Sequence, residues 1–234
     1  MRLNSLILDL LPAGLLHGRH LAVYQAASPA PDYLDGRTVL ALGLLLIVAS
    51  LAPACLGRSP AAGSRLSGTD LGAKPAPGFT LLDTQGQEVR LADLQGKAVA
   101  LTFLFSTCPD VCPVITNKFG LVHDQLGQRA QEVAFVAITV DPERDTPARL
   151  SQYLDAQGLA GKMQFLTGDR ATLESVWSAY HILVSRLPQG EAYNVAHSDV
   201  VYIIDKAGRM RVLMHTDLLP ADLKRNLETL LDEP

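Results

Sequence analysis

An apolar run, Val99-Ala-Leu-Thr-Phe-Leu-Phe105, leads straight into Cys108-Pro-Asp-Val-Cys112-Pro113, and an amphipathic segment follows. The run reads as a buried strand. The segment after it reads as a helix whose apolar stripe is Ile115, Phe119, Val122 and Leu126, at positions i, i+4, i+7 and i+11. Glu132–Val140 is again continuously apolar, as a strand is when both faces of its sheet are covered. The three pieces make a βαβ unit with two cysteines at its first turn, and the crossover of such a unit is almost always right-handed.

A helix N-terminus offers unpaired backbone N–H groups and the positive end of a dipole, and both favour thiolate over thiol. Spacing i, i+4 predicts that the sulfurs of Cys108 and Cys112 share one helix face. Such a pair exchanges disulfides or holds a soft metal, and the plainer alternative is two buried structural thiols.

The rest of the C-terminal region patterns as a compact domain. Phe79–Asp83 and Glu88–Leu91 predict a β-hairpin around Thr84-Gln85-Gly86, and order is expected to begin near Phe79. Pro147–Gln157 predicts a helix, Met163–Thr167 a short strand, and Leu173–Tyr180 a helix with Leu173, Val176, Trp177 and Tyr180 on one face. Val200–Asp205 and Arg211–His215 predict a hairpin across Lys206-Ala-Gly-Arg209. A last helix follows Pro220, with Leu223, Leu227, Leu230 and Leu231 facing inward. A βαβ half followed by a ββα half, with cysteine at the first turn, is an α/β arrangement of the thioredoxin-like kind.

Upstream, the chain reads differently. Between Arg37 and Arg58 there is no charged residue, and residues 38–57 predict a single membrane-anchor helix or signal segment. That run ends Ala52-Pro53-Ala54-Cys55, loosely like a bacterial lipoprotein cleavage site, although Pro53 is atypical for one. Lys and Arg counts on its two flanks are similar, so they do not set its orientation. Residues 1–37 read as a disordered extension or a start assigned too far upstream. Residues 58–74, rich in Gly, Ala, Pro and Ser, read as a flexible linker, leaving 75–234 as the globular domain. The net charge of −4, with no basic cluster, excludes a nucleic-acid partner. Three cysteines are too few for a disulfide scaffold.

Sites in open α/β sheets form at the carboxyl ends of the parallel strands. Cys108 follows one such end, and Asp141 follows the neighbouring one, in Asp141-Pro-Glu-Arg-Asp-Thr-Pro147. An antiparallel strand starts where parallel strands finish, so a loop carrying His197-Ser198-Asp199 is expected at the same edge. Asp145-Thr146-Pro147 is also a good helix start, which gives part of that segment an architectural reading. Asp141 divides evenly between a structural role and one of orienting ligands. His123, His181 and His215 read as tolerated polar residues, His123 as solvent-exposed. Two thiolates and an imidazole suit Cu(I), which accepts three ligands; Cu(II) would add an oxygen, and Zn would want a fourth donor. Dithiol oxidoreductases commonly use Cys-x-x-Cys, one residue shorter, without the histidine. The longer spacing and His197 favour metal.

Thr107-Cys-Pro-Asp-Val-Cys-Pro113, Asp141–Pro147, and His197-Ser198 ahead of Val201-Tyr-Ile-Ile-Asp205 together resemble the Sco (SCO1/SenC) family, over about residues 75–234. The resemblance implies a membrane-anchored, thioredoxin-like copper protein that helps build the binuclear copper centre of cytochrome c oxidase subunit II. It further implies thiol-disulfide chemistry on that subunit's cysteines, and other copper chaperones or thiol reductants as partners. By position, the copper ligands would be Cys108, Cys112 and His197, and Cys108 and Cys112 would form the reversible disulfide. The domain would face the periplasm or cell exterior from a bacterial inner membrane. No proline lies between Pro188 and Pro220, so the proline that thioredoxins place opposite their cysteines is missing, which favours a metal. Two other readings remain: a tethered thiol-disulfide oxidoreductase or redox sensor in which copper is incidental, and, more distantly, a peroxiredoxin-like peroxidase.

Overall fold

A computed structural model of the chain describes residues 66–189 and 192–234. The N-terminal extension, the apolar segment 38–57 and Cys55 lie outside the described residues. Among the described residues no helix is long and apolar enough to cross a membrane.

The strands are β1 (Thr69–Pro75), β2 (Thr80–Leu82), β3 (Glu88–Arg90), β4 (Ala98–Leu104), β5 (Val133–Thr139), β6 (Gln164–Leu166), β7 (Val184–Gln189), β8 (Ala192–His197), β9 (Val200–Ile204) and β10 (Arg209–His215). The helices are α1 (Val111–Leu126), α2 (Pro147–Ala156), α3 (Arg170–Ala179) and α4 (Pro220–Asp232). One six-stranded sheet runs β1-β10-β9-β4-β5-β6, and two hairpins, β2-β3 and β7-β8, stand apart from it. β4, β5 and β6 are parallel, while β9, β10 and β1 join antiparallel on the other side of β4.

The two central strands are sealed on both faces, as their apolar runs require. Every residue of β4 is buried, and of β5 only Ala134 is partly open. Register shows which helix covers which face. Ala100 pairs with Phe135 and Phe103 with Ile138, so Phe135 and Phe103, an odd number of positions apart, point to opposite faces. Phe135 meets Phe119 of α1, ring centroids 5.3 Å apart, whereas Phe103 meets Tyr180, just past α3, at 5.6 Å. α4 buries Leu223, Leu227, Leu230 and Leu231 and packs against α1 and β4. Thr146 caps α2 by accepting from the Arg149 N–H, with Pro147 at the first helical position.

Three expectations need correcting. The chain is ordered well before Phe79: edge strand β1, Thr69–Pro75, pairs with β10, and all of it but Pro75 falls in the segment 58–74 that the sequence reads as a flexible linker. Gly68 explains the tight approach, since at φ 121° a Cβ there would sit 2.5 Å from Val212 and 2.6 Å from the Leu213 carbonyl oxygen. Next, residues 184–197 contain a whole hairpin that sequence reasoning left out. As a result His197 ends strand β8, paired with Val184, rather than sitting in a loop. Finally, α1 begins at Val111 behind an Asp110 cap, so Cys108 precedes the helix and the two cysteines do not share a helix face. A turn, not helical spacing, brings them together.

Candidate metal centre

Cys108 sits in the turn leaving β4, its N–H donating to the Phe105 carbonyl at 3.3 Å. Buried Asp145 braces that turn. Its carboxylate accepts from the Ser106 N–H at 3.1 Å, from the Ser106 hydroxyl, and from the Thr139 hydroxyl at 2.6 Å, stapling the cysteine turn to the end of β5. Burial pushes the Asp145 carboxyl above the ordinary carboxylate range. Cys112, in the first turn of α1, is fully buried.

Both cysteines are free, and their thiols are hydrogen-bonded to each other. That bond splits their acidities. The Cys112 thiol donates to the Cys108 sulfur and draws Cys108 down to about 5, despite partial burial; the Asp110 and Cys112 backbone N–H groups and the charge of His197 add to the effect. Cys112 is pushed in the opposite direction, first by that same bond and then by burial. At neutral pH the pair is one thiolate beside one thiol.

Cys108, Phe105, Asn194, His197 and Asp199 line one cleft of about 380 Å³. The His197 ring lies edge-on to Phe105, centroids 5.8 Å apart. Its Nδ1 is 2.8 Å from the Ser198 carbonyl oxygen, which can only accept, so Nδ1 carries the hydrogen. In the neutral ring this leaves the Nε2 lone pair free, and Nε2 makes no hydrogen bond among the described residues. It is the tautomer a metal ligand needs. Among the described residues no three His, Cys, Asp or Glu side chains are already gathered to hold an ion.

Asp141, at the end of β5, touches neither thiol. Fully buried, it accepts from the Tyr193 hydroxyl at 2.7 Å and pairs with the Arg144 Nε. Arg144 also donates to the Tyr193 carbonyl at 3.2 Å, and its guanidinium lies 4.2 Å from the centre of the Tyr193 ring. Tyr193 belongs to β8, so Asp141 holds the ribbon that carries His197. Glu143 ties the same ribbon through Arg186. His123 is half-buried against Phe135, not fully exposed as expected, while His181 and His215 are exposed and away from the cleft. Sequence reasoning brought Asp199 to this edge with His197 but gave it no role in the cleft. Its position two places after His197 was the available signal.

A dithiol between a buried strand and a helix, on this strand order, defines a thioredoxin-like domain. The sequence profile of the SCO1/SenC family matches residues 68–232, and the chain belongs to that family. An SCO2-like protein of Rickettsia typhi is 32% identical over 134 residues, spanning 56% of this chain and 65% of that protein. Copper-bound ScoI of Bradyrhizobium japonicum is 30% identical with a TM-score of 0.62, over 67% of this chain and 99% of that one. Copper-bound ScoI of Arabidopsis thaliana is 27% identical with a TM-score of 0.60, over 66% and 96% of the two chains.

Proposed function

We propose that this chain is a copper metallochaperone that binds one copper ion through Cys108, Cys112 and His197. It delivers the ion to the binuclear copper site of cytochrome c oxidase subunit II, with the domain tethered to a bacterial inner membrane by residues 38–57. The cleft is the observation that carries the reading: it combines a thiolate, a neighbouring thiol and an imidazole with a free Nε2, a soft donor set suited to Cu(I). Copper in the ScoI structures of Bradyrhizobium japonicum and Arabidopsis thaliana supports it. The Cys108 thiolate offers the first bond. Cys112 gives up its proton as it becomes the second, because a thiol ligates as thiolate. His197 closes the site from the ribbon side. Since the three donors are not gathered beforehand, loading draws the ribbon toward the dithiol.

Copper titration of the purified full chain, reduced and oxidised, tests the proposal. The expected result is one copper per reduced chain, with thiolate-to-Cu(II) absorption that disappears in Cys108→Ala. Unchanged copper affinity in His197→Ala would sink the three-ligand site.

A second reading is favoured by the split acidities of the cysteine pair. The Cys108 thiolate attacks a partner disulfide, forming a mixed disulfide and releasing one partner thiolate. Cys112 then loses its proton and attacks the Cys108 sulfur, which frees the second partner thiolate. The partner ends as a dithiol and this chain as the Cys108–Cys112 disulfide. Reduction of an oxidised partner that survives His197→Ala would favour this chemistry over copper transfer.

A further inference from the structure

The cleft contains a donor that the three-ligand site leaves unused. Asp199, between β8 and β9, lines it beside Cys108 and His197, and its Oδ1 is shut off from solvent with no hydrogen-bond partner. Asp199 as a residue is only partly buried, whereas the fully buried carboxylates among the described residues are all engaged. Asp141 takes Tyr193 and Arg144, and Asp145 takes Ser106 and Thr139. Asp205 takes Arg209, Arg211 and two backbone N–H groups. Asp199 makes no hydrogen bond or ion pair with any described residue. A buried carboxylate oxygen left unpaired is destabilising unless a cation meets it, so such an orphan points to a missing partner.

Resting on the copper reading above, we propose that Asp199 is the oxygen donor that completes the coordination of Cu(II), and only Cu(II), in the Cys108–Cys112–His197 site. The chemistry of the two ions sets the distinction. Cu(I) is satisfied by two thiolates and an imidazole, whereas Cu(II) favours four donors in a tetragonal array that accepts oxygen. Charge acts in the same direction. Two thiolates already overbalance Cu(I), so a third anion is repelled; the same thiolates only neutralise Cu(II), and the carboxylate is tolerated. Asp199 thereby biases the bound couple toward the cupric state.

The test compares wild type with Asp199→Asn and Asp199→Ala, as purified full chains, using Cu(II) sulfate alone and Cu(I) held by a competing chelator. The expected result is Cu(II) bound about tenfold more weakly in both variants with Cu(I) affinity unchanged, a rise of about 59 mV in the one-electron potential. The copper hyperfine splitting in the electron paramagnetic resonance spectrum should change as an oxygen ligand is lost. Identical spectra and Cu(II) affinities in wild type and variants would overturn the inference and leave the three-ligand site standing. Equal losses of Cu(I) and Cu(II) would overturn it too, since Asp199 would then shape the cleft without choosing between oxidation states. Absence of a thiolate-to-Cu(II) band in wild type with Cu(I) still bound would overturn this inference alone; failure to bind copper in either state would defeat the copper reading, and this inference with it.

Discussion

The turn that carries Cys108 and the ribbon that carries His197 face the same cleft, yet they are held by different forces. The cysteine turn leaves a strand whose every residue is buried and enters a helix packed on the sheet, with Asp145 stapling it to β5. The ribbon lies outside the six-stranded sheet. Leu183, just ahead of it, and Leu187 within it are 78% and 50% exposed; Val195 anchors the ribbon in the core, and Asp141, Arg144 and Glu143 tie it through Tyr193 and Arg186. Apolar burial is non-directional and lost only with the fold, whereas a few polar contacts hold a position that can shift at modest cost. A fixed dithiol and an adjustable imidazole are what the proposed loading and release of copper would require.

That contrast breaks most visibly at the thiols. Cys108→Ala or Cys112→Ala should weaken Cu(I) binding by more than about 100-fold, beyond the range usual for an outer partner, as measured by chelator competition. Tyr193→Phe removes the hydroxyl donated to Asp141 while leaving the ring under Arg144. It should cost about tenfold in copper affinity with the thermal midpoint nearly unchanged, whereas a purely structural role would move the midpoint instead. In stability the order reverses. Phe103→Ala, in the core beneath the turn, should cost about 3–5 kcal/mol by denaturant unfolding, and Leu187→Ala on the ribbon no more than about 0.5 kcal/mol.

Acidity gives a finer test. With Cys108 at about 5 and Cys112 shifted upward, only Cys112 still carries its proton at pH 7.5. Binding of Cu(I) should therefore release about one proton, and affinity should rise about tenfold per pH unit there. In the reduced, metal-free chain, alkylation of Cys108 should show a midpoint near the same value of about 5, while Cys112 reacts slowly.

The same division governs what could be read from the sequence. β4, α1 and β5 announce themselves because a core strand must be apolar throughout and a packed helix must repeat its stripe, and the inward leucines of α4 follow the same rule. β1 was illegible. Thr69-Asp-Leu-Gly-Ala-Lys-Pro75 is an irregular edge strand whose register slips between Asp70 and Lys74, with Ala73 at φ 54°, so its composition is that of a linker. β7 was hidden in the same way: Ser185, Arg186, Leu187 and Pro188 are all exposed and show no buried alternation, and Pro188 argues against a central strand though not against a two-stranded ribbon. Topology did place His197 at the edge beside Cys108, because an antiparallel strand must start where its parallel neighbour ends. It could not reveal that Asp141 works through Tyr193, since that contact spans two segments with no shared pattern. Nor could it single out Asp199, whose interest lies in having no partner.

X-ray absorption at the copper edge, on the Cu(I)-loaded full chain and on His197→Ala, tests most directly whether the rigid turn and the movable ribbon grip one ion. The account predicts two sulfur scatterers and one nitrogen in wild type, with the nitrogen absent from the variant. Two sulfurs alone in both, with identical spectra, would contradict it and reduce the site to its dithiol.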